Sequence, residues 1–445
     1  MSSGFVEGRI EVKLRSVASR RIGPCWVRKY PGRLLALTLA GSLQGPARAA
    51  VGLEEVEEFL SHDFHGYIVQ PQLDLGATYV DNLNFNQGSE ALADLQIGIS
   101  PGLRLRRGDL TGNFLSVEGT HDEILFLDHS AFDYQQNHFK MNGLYKTARM
   151  RFDGTESYEL LSGFLGGILG QSGAINVLPR RRDQSSGFYR ATYDWTERTD
   201  FYGDFQHYAT DWSKSIALYD YNTLRGAVGG SYEFTDRIRF FSEIFYGQSG
   251  VSANVANQVR GIPSSLLGGF FGTRGVFTEH FSGTAKVGLE HRNFFDASRV
   301  GVIIPAFDSD LRYEFSDSMA VTLIYSRRTS PSVNFGGQNA TVDSATLSLT
   351  KRLGMTGTWL AKAGTTYQRV DYSNSAPAGR PSTARSDDFV NLEAAVTYQP
   401  RPWLTSSLGY TFENYHVSFA NPLLDLRNLT GYQANRIFLN LSIGF

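Results

Sequence analysis

The segment NRIFLNLSIGF, residues 435–445, alternates apolar and polar side chains up to its last residue. Its apolar set is Ile437, Leu439, Leu441, Ile443 and Phe445, while Arg436, Asn440, Ser442 and Gly444 take the other face. A period of two is that of a β-strand with one apolar face. Chain ends usually fray into solvent, whereas a terminal aromatic residue suits a strand that faces lipid and ends at a membrane interface. The segment predicts the last strand of a transmembrane barrel, with a half-buried soluble strand as the alternative.

The same alternation recurs along the chain from Tyr67. Examples are YIVQPQLDLGATY (67–79), DLQIGISPGLRLR (94–106), FSGTAKVGLEHR (281–292) and VNLEAAVTY (390–398). Segments of about ten to fourteen residues have the length of tilted membrane strands.

The connections between these segments fall into two classes. Short, turn-rich connections are predicted at 106–109, 152–155, 196–200, 235–237, 278–280, 316–318, 353–357 and 399–402. Long ones are predicted at 81–93, 123–136, 164–186, 210–220, 248–268, 295–302, 329–340, 372–387 and 416–433. Short periplasmic turns and long extracellular loops are typical of outer-membrane barrels. The sequence therefore predicts an all-β fold, one antiparallel barrel of about eighteen strands over residues 67–445, with sixteen as the alternative count.

Aromatic residues crowd where the predicted strands meet the short turns. They are Tyr193, Trp195, Tyr232, Phe234, Tyr313, Phe315, Trp359, Tyr398 and Trp403, and Phe445 falls at the same level. Amphipathic rings favour the membrane interface, so this set predicts a girdle on the periplasmic side.

The N-terminus resembles an export signal. Arg28, Lys29 and Arg33 precede the apolar run LLALTLAGSL, and an A-x-A cleavage pattern ends at Ala49. We predict a signal peptide with a long lead over 1–49, followed by a short acidic periplasmic segment over 50–66. The true translation start is left open.

Composition narrows the function classes. The whole chain has 42 Lys and Arg residues and 44 Asp and Glu residues. The predicted leader holds nine of the basic and two of the acidic residues. Without it the chain has 33 basic and 42 acidic residues, a net charge near −9. An acidic balance disfavours nucleic acid as a partner. The one cysteine lies in the leader, and a thiol-free mature chain suits an oxidising compartment. The uncharged stretch at 160–179 contains five glycines and a proline, and reads better as a strand end with a loop than as a spanning helix.

The stretches GATYVDNLNFNQ, ADLQIGISPGLRLRRGDLTGNFLSVEG, YSRRTSPSV and GYQANRIFLNLSIGF resemble a family of outer-membrane β-barrel porins that often accompany bacterial exopolysaccharide loci. The resemblance spans roughly residues 67–445. It implies the outer membrane of a Gram-negative cell and a pore or export role, and it brings no catalytic residues.

The sequence matches few enzyme motifs, and those matches lack the structural context that the motifs require. GISPG (98–102) matches the nucleophile-elbow pattern, but it lies inside a predicted strand rather than at a strand-to-helix turn. The nine histidines are scattered, no zinc or nucleotide motif is present, and no local Ser–His–acid group is evident. We predict no enzyme activity, no cofactor and no metal.

Charged residues at inward positions of the strands form the candidate site. They are Arg190, Arg225, Arg239, Glu243, Lys286, Glu290, Arg292, Asp308, Asp310, Arg312, Glu314 and Glu393. Charges on the lipid face are costly, so this many require a wet interior. The set is either a pore lining that selects solutes by charge and size or a group of pairs that stabilises the wall. Mixed signs predict weak ion selectivity.

A second candidate is the loop at 164–186. Arg180, Arg181, Arg182 and Asp183 could narrow the lumen and meet an acidic sugar, or instead contact solvent or lipopolysaccharide phosphates.

The predicted function is a porin that passes hydrophilic solutes, with polysaccharide as one candidate, through a mixed-charge aqueous lumen. The alternative is a plugged barrel that acts as a structural or docking component of an exopolysaccharide export assembly. Expected partners are outer-membrane lipid and lipopolysaccharide, export components, and barrel-assembly machinery that reads the C-terminal signal Leu441, Ile443 and Phe445. A homotrimer is left open.

Overall fold

The computed structural model describes residues 60–83, 85, 91–162, 181–212, 220–252, 262–296, 301–331, 339–354, 357–372, 385–419 and 431–444. The predicted signal peptide, Arg180 and Phe445 lie outside these residues. The described residues belong to one compact unit.

In the described residues the elements are β-strands and a short 3₁₀ turn at Ser130–Phe132. The strands are β1 His62–Phe64, β2 Tyr67–Val80, β3 Asp94–Gly108, β4 Phe114–Phe126, β5 Tyr134–Lys146, β6 Met150–Leu161, β7 Arg182–Asp194, β8 Thr199–Trp212, β9 Tyr221–Thr235, β10 Ile238–Val251, β11 Ser264–Val276, β12 Phe281–Phe294, β13 Val302–Ser316, β14 Met319–Pro331, β15 Asn339–Leu353, β16 Trp359–Tyr372, β17 Arg385–Arg401, β18 Leu404–Phe419 and β19 Tyr432–Ile443.

Strands β2 to β19 form a closed antiparallel meander. Each strand pairs with the next along the chain, and β19 returns to pair with β2 from Leu73↔Ile443 to Val80↔Arg436. The predicted single barrel of eighteen strands is confirmed. Closure leaves no unpaired sheet edge, which is what allows strands to cross lipid.

The additional strand β1 lies at the seam. It pairs with the first residues of β2, from His62↔Val69 to Phe64↔Tyr67, where β19 no longer reaches. This hairpin supplies hydrogen-bond partners to the start of β2.

Alternation assigns each side chain to the outer or the inner face. On β10, Ile244 is 65% exposed and its neighbour Phe245 is 1% exposed. Directly paired residues of adjacent strands share a face, so the register carries this assignment around the barrel.

One predicted turn is wrong. The segment at 152–155 lies inside β6, and the chain reverses at 147–149 instead. There the Thr147 hydroxyl accepts a hydrogen bond from the Met150 backbone N–H at 3.0 Å. The sequence FDGT carries stronger turn residues than TAR, which explains the misplacement.

Candidate functional site: the barrel lumen

The outer face of the barrel is apolar. Ile244, Leu289 and Ile303 are each more than 60% exposed there. Exposed aromatic side chains near the short turns are Trp195, Tyr232, Phe234, Tyr313, Phe315, Trp359 and Tyr398. Trp403, which we expected in this girdle, is buried, with 9% of its surface exposed.

Four further tyrosines on the outer face lie farther along their strands from the short turns than the girdle does. Hydroxyl groups of Tyr189, Tyr325, Tyr367 and Tyr410 donate to Glu156, Asp343, Asp388 and Asn435 on adjacent strands. Along β16, Trp359 and Tyr367 are eight residues apart, about 26 Å along the strand and roughly 20 Å once tilted. A closed barrel with an apolar outer face and an aromatic girdle near its short turns is typical of the bacterial outer membrane.

The twelve charged residues predicted to face inward lie on the lumen side of their strands by this alternation. Arg190, Arg225, Arg239, Glu243, Lys286 and Asp308 lie along β7 to β13, and Asp310, Arg312 and Glu314 continue β13 toward the short turns. Glu393 lies on β17 and contacts Lys362 Nζ at 3.1 Å. Whether they act on a solute stays a prediction.

Ion pairs between neighbouring strands form the middle of this wall. Arg190 binds both carboxylate oxygens of Asp204, at 2.6 and 2.7 Å. Arg225 contacts Glu243 at 2.5 Å, and Arg328 contacts Asp308 at 2.5 Å. Each carboxylate is thereby matched by a guanidinium, which lowers the fixed charge that the lumen presents.

These pairs border a cavity of about 560 Å³ inside the barrel. Lys286 also borders this cavity, and its Nζ lies 4.8 Å from the centre of the Phe270 ring. Among the described residues no carboxylate lies within ion-pair distance of Lys286. The cavity therefore carries one cation more than its three acids balance.

Glu290 and Arg292 lie nearer the long loops and are almost fully buried. Glu290 accepts a hydrogen bond from the Thr329 backbone N–H at 2.8 Å. Arg292 donates to the Ser264 hydroxyl at 3.0 Å and to the Thr329 hydroxyl at 3.2 Å. Their exposed fractions of 1% and 2% leave little surface for a solute.

Nearer the short turns one arginine binds two acids, and a further ion pair is partly exposed. Arg239 pairs with Asp200 and, at 2.7 Å, with Glu233. Arg312 pairs with Glu314 at 2.8 Å, with both side chains about half exposed. Several partners here were not predicted as site residues, and neither were Asp204, Arg328 and Lys362.

Part of the wall is neutral and polar. In the middle of β15 four successive inner positions are Ser344, Thr346, Ser348 and Thr350. Thr346 shares a hydrogen bond with Thr366 of β16 at 3.0 Å. Ser344 borders the same cavity as the ion pairs, so a solute there would meet charges on one side and hydroxyl groups on another.

The chain after β2 folds into the lumen. Leu83 is 3% exposed and packs with Ile124 and Phe126, while Phe85 is 5% exposed. The Phe85 ring lies 4.6 Å from that of Tyr432, in a cluster that includes Val370 and Tyr415. These two side chains thus contact β4 on one side and β16 to β19 on the other.

Hydrogen bonds to the last strand hold this segment in place. Asp81 accepts from the Asn435 backbone N–H and from its side-chain amide, both at 2.6 Å. The Asn82 amide donates to the Gln433 carbonyl at 2.6 Å. Beneath them lies a lumenal cavity of about 510 Å³ bordered by Leu83, Phe85 and the Glu413–Arg436 pair.

The loop predicted at 164–186 ends earlier than expected. Arg182 and Asp183 belong to β7 and are not loop residues, and Arg181 is exposed just before that strand. By alternation Arg182 faces inward, with its guanidinium 5.7 Å from the Trp212 ring, and Asp183 faces outward. The constriction by this loop stays a prediction.

Removing one arginine from a mid-lumen pair should change ion selectivity. Arg328→Gln leaves the Asp308 carboxylate without its 2.5 Å partner. We expect the reversal potential in a salt gradient to move toward cation preference, because the cavity then carries one positive charge fewer. Asp308→Asn should move it the opposite way, and Arg369→Gln on the outer face should leave it unchanged.

Among the described residues no helix is long and apolar enough to cross a membrane. In the same part of the chain, no three His, Cys, Asp or Glu side chains gather into a group that could hold a metal ion.

No family model and no curated protein matches the sequence. Solved structures that match the fold include OpdO of Pseudomonas aeruginosa, with 13% identity, a TM-score of 0.42, and coverage of 85% of this chain and 97% of that one. OccK2 (OpdF) of the same organism, solved in complex with glucuronate, has 10% identity and a TM-score of 0.43. The match covers 85% of this chain and 98% of that one. OccAB3 of Acinetobacter baumannii has 14% identity and a TM-score of 0.41, with coverage of 85% of this chain and 99% of that one. A likeness this distant decides nothing about solute or role, and the fold rests on the strand pairing described above.

Proposed function

We propose that this chain is a porin that passes hydrophilic solutes passively through the outer membrane. The observation that carries the proposal is the mid-lumen cavity of about 560 Å³, where Arg190, Arg225 and Arg328 are paired with acids on neighbouring strands. Charges placed inside an apolar-faced barrel require water around them. Because most are paired, we expect discrimination by size and hydrogen bonding more than by net charge.

The proposed class of solute follows from the lumen wall, which combines paired charges with neutral hydroxyl groups. Hydroxyl groups of β15 and paired charges of β7 to β14 offer both donors and acceptors. Such a lining suits polyhydroxylated molecules, which can exchange hydrogen bonds with water for hydrogen bonds with the wall. Polysaccharide chains are the largest solutes that the proposal includes, and their inclusion rests on the sequence resemblance alone.

The second candidate function is a plugged barrel that docks or supports an exopolysaccharide export assembly. It is favoured by Leu83 and Phe85, which occupy the lumen on the long-loop side. A plugged barrel should give no solute flux by itself and should bind an export component.

Liposome swelling separates the two. Proteoliposomes with the refolded mature chain are placed in isotonic solutions of a pentose, a disaccharide and a tetrasaccharide. The porin proposal expects swelling rates that fall with solute size and exceed those of protein-free liposomes. Swelling no faster than in protein-free liposomes, for a barrel whose gel mobility still changes on heating, would reject the porin and leave the docking role.

A further inference from the structure

The ring of Phe438 lies against the inner wall of the barrel. Phe438 occupies an inward position of β19 and pairs with Gly409 of β18 and Thr78 of β2. A Cβ atom at Gly409 would lie within 2.3 Å of Phe438 Cζ, so the ring occupies the space above this glycine instead of projecting toward the barrel axis. The side chain is partly exposed. The exposed surface of the ring therefore faces the lumen.

Phe438 borders the lumenal cavity of about 510 Å³ beneath the segment after β2. Leu83, Phe85 and Phe126 border it as well, and all three are buried. Asn440, the next inward residue of β19 toward the short turns, is exposed. The cavity is therefore open to the lumen on the short-turn side, and its volume lies in the range of small-molecule sites.

Uncharged polar side chains surround the ring. Those that border the cavity include Thr78, Gln96, Thr411 and Asn440. Within the described part of the chain, none of these four side chains forms a hydrogen bond with another protein group. Their hydroxyl and amide groups supply both donors and acceptors. A solute in the cavity would therefore meet hydrogen-bonding groups that the protein leaves unused, beside an aromatic surface.

The charges around this cavity cancel. Among its described lining residues the charged ones are Glu413 and Arg436, whose guanidinium contacts the two carboxylate oxygens at 2.8 and 3.2 Å. The mid-lumen cavity differs, because Lys286 there leaves one cation in excess of the acids. An ionic solute beside Phe438 would meet no uncompensated counter-charge, so the site favours an uncharged solute.

We propose that this cavity binds a pyranose ring of a neutral saccharide. This names the class of solute for the porin proposed above and rests on that function. A pyranose presents aliphatic C–H groups on its faces and hydroxyl groups around its edge. The C–H groups pack on the Phe438 ring, whose π-system carries partial negative charge. The hydroxyl groups exchange hydrogen bonds with the side chains of Thr78, Gln96 and Thr411.

The aromatic ring distinguishes a cyclic sugar from other polyhydroxylated solutes. An acyclic polyol carries comparable hydroxyl groups but has no preformed C–H face to pack on Phe438. It also loses more conformational freedom when it is bound. Binding of the cyclic sugar is expected to be weak, because a solute that crosses a pore must also leave its site.

Saturation-transfer difference NMR of refolded residues 50–445, in a detergent without a sugar headgroup, tests the proposal. The protein is titrated with cellotriose and, separately, with the acyclic polyol sorbitol. Phe438→Leu keeps an apolar side chain but removes the aromatic ring, and Thr411→Val removes a hydroxyl group at nearly constant shape. The matched control is Phe241→Leu, since the Phe241 ring lies over Gly272 elsewhere on the inner wall and does not border this cavity.

We expect cellotriose to bind the unaltered protein and Phe241→Leu equally, and to bind more tightly than sorbitol. The dissociation constant should rise roughly three- to tenfold for Phe438→Leu. It should rise roughly threefold for Thr411→Val. Heat-modifiable gel mobility confirms that each variant is folded. Absence of cellotriose binding, sorbitol binding of equal strength, or affinity unaffected by both test variants would overturn the proposal.

Liposome swelling separates this proposal from that of the porin itself. A barrel that passes solutes but does not bind cellotriose would overturn the saccharide site alone. A barrel that binds cellotriose with the expected variant effects but passes no solute would support the site and reject the porin.

Discussion

Replacing Phe85 with alanine is expected to raise the single-channel conductance roughly 1.5- to 2-fold, because the ring occupies the lumen where it is narrowed by side chains. Phe85 is 5% exposed, and its ring lies 4.6 Å from that of Tyr432. Truncation removes volume from this segment while Asp81 and Asn82 still hold it to β19. The measurement is open-channel current in a planar bilayer.

A matched control is Phe271→Ala. This phenylalanine is 59% exposed on the outer face, so its truncation leaves the lumen as it was. Equal conductance for Phe85→Ala, Phe271→Ala and the unaltered chain would mean that the segment after β2 does not limit the pore.

The largest loss of stability is expected for Arg385→Ala. Arg385 contacts both oxygens of Asp387 at 2.5 and 2.7 Å, and the two side chains are 1% and 0% exposed. Removing the guanidinium leaves a buried carboxylate without its counter-charge, which costs roughly 3–5 kcal/mol in folding free energy. Urea titration of the barrel in detergent micelles, followed by gel mobility and fluorescence, measures the change.

Two variants keep this prediction specific. Arg312→Ala breaks the Arg312–Glu314 pair, whose side chains are 49% and 48% exposed, and should cost less than about 1 kcal/mol. The double variant Arg385→Met with Asp387→Leu removes both charges and should recover most of the lost stability. A loss for Arg385→Ala no larger than for Arg312→Ala would show that the buried pair is not structurally important.

Alternation predicted the barrel because its signal is local. In a strand such as β12 the alternation of side chains within the strand already distinguishes the two faces, with Val287 and Leu289 outward and Lys286 inward. Asp204 and Arg328 follow the same rule, so the inward partners that the prediction omitted were available to the same reasoning.

The misplaced turn had a further consequence. With 152–155 taken as a turn, Glu156 was not assigned to the outer face beside Phe152 and Tyr158. The strand instead continues through Gly154, because its backbone pairs with both β5 and β7. Tertiary pairing here outweighs local turn preference.

The occupied lumen could not be predicted from local patterns. Asp81 and Asn435 are 354 residues apart in sequence, and their hydrogen bonds exist only once the barrel has closed. Alternation ends where a strand ends, so it cannot predict where the residues after β2 lie, which fold back into the interior.

The measurement that tests the central claim most directly is single-channel recording of refolded residues 50–445, with reversal potentials in a salt gradient. An open pore lined by paired charges predicts steady openings and a reversal potential close to zero. A folded barrel that gives no openings, or one with strong preference for ions of one sign, would contradict a conducting lumen whose charges are largely balanced.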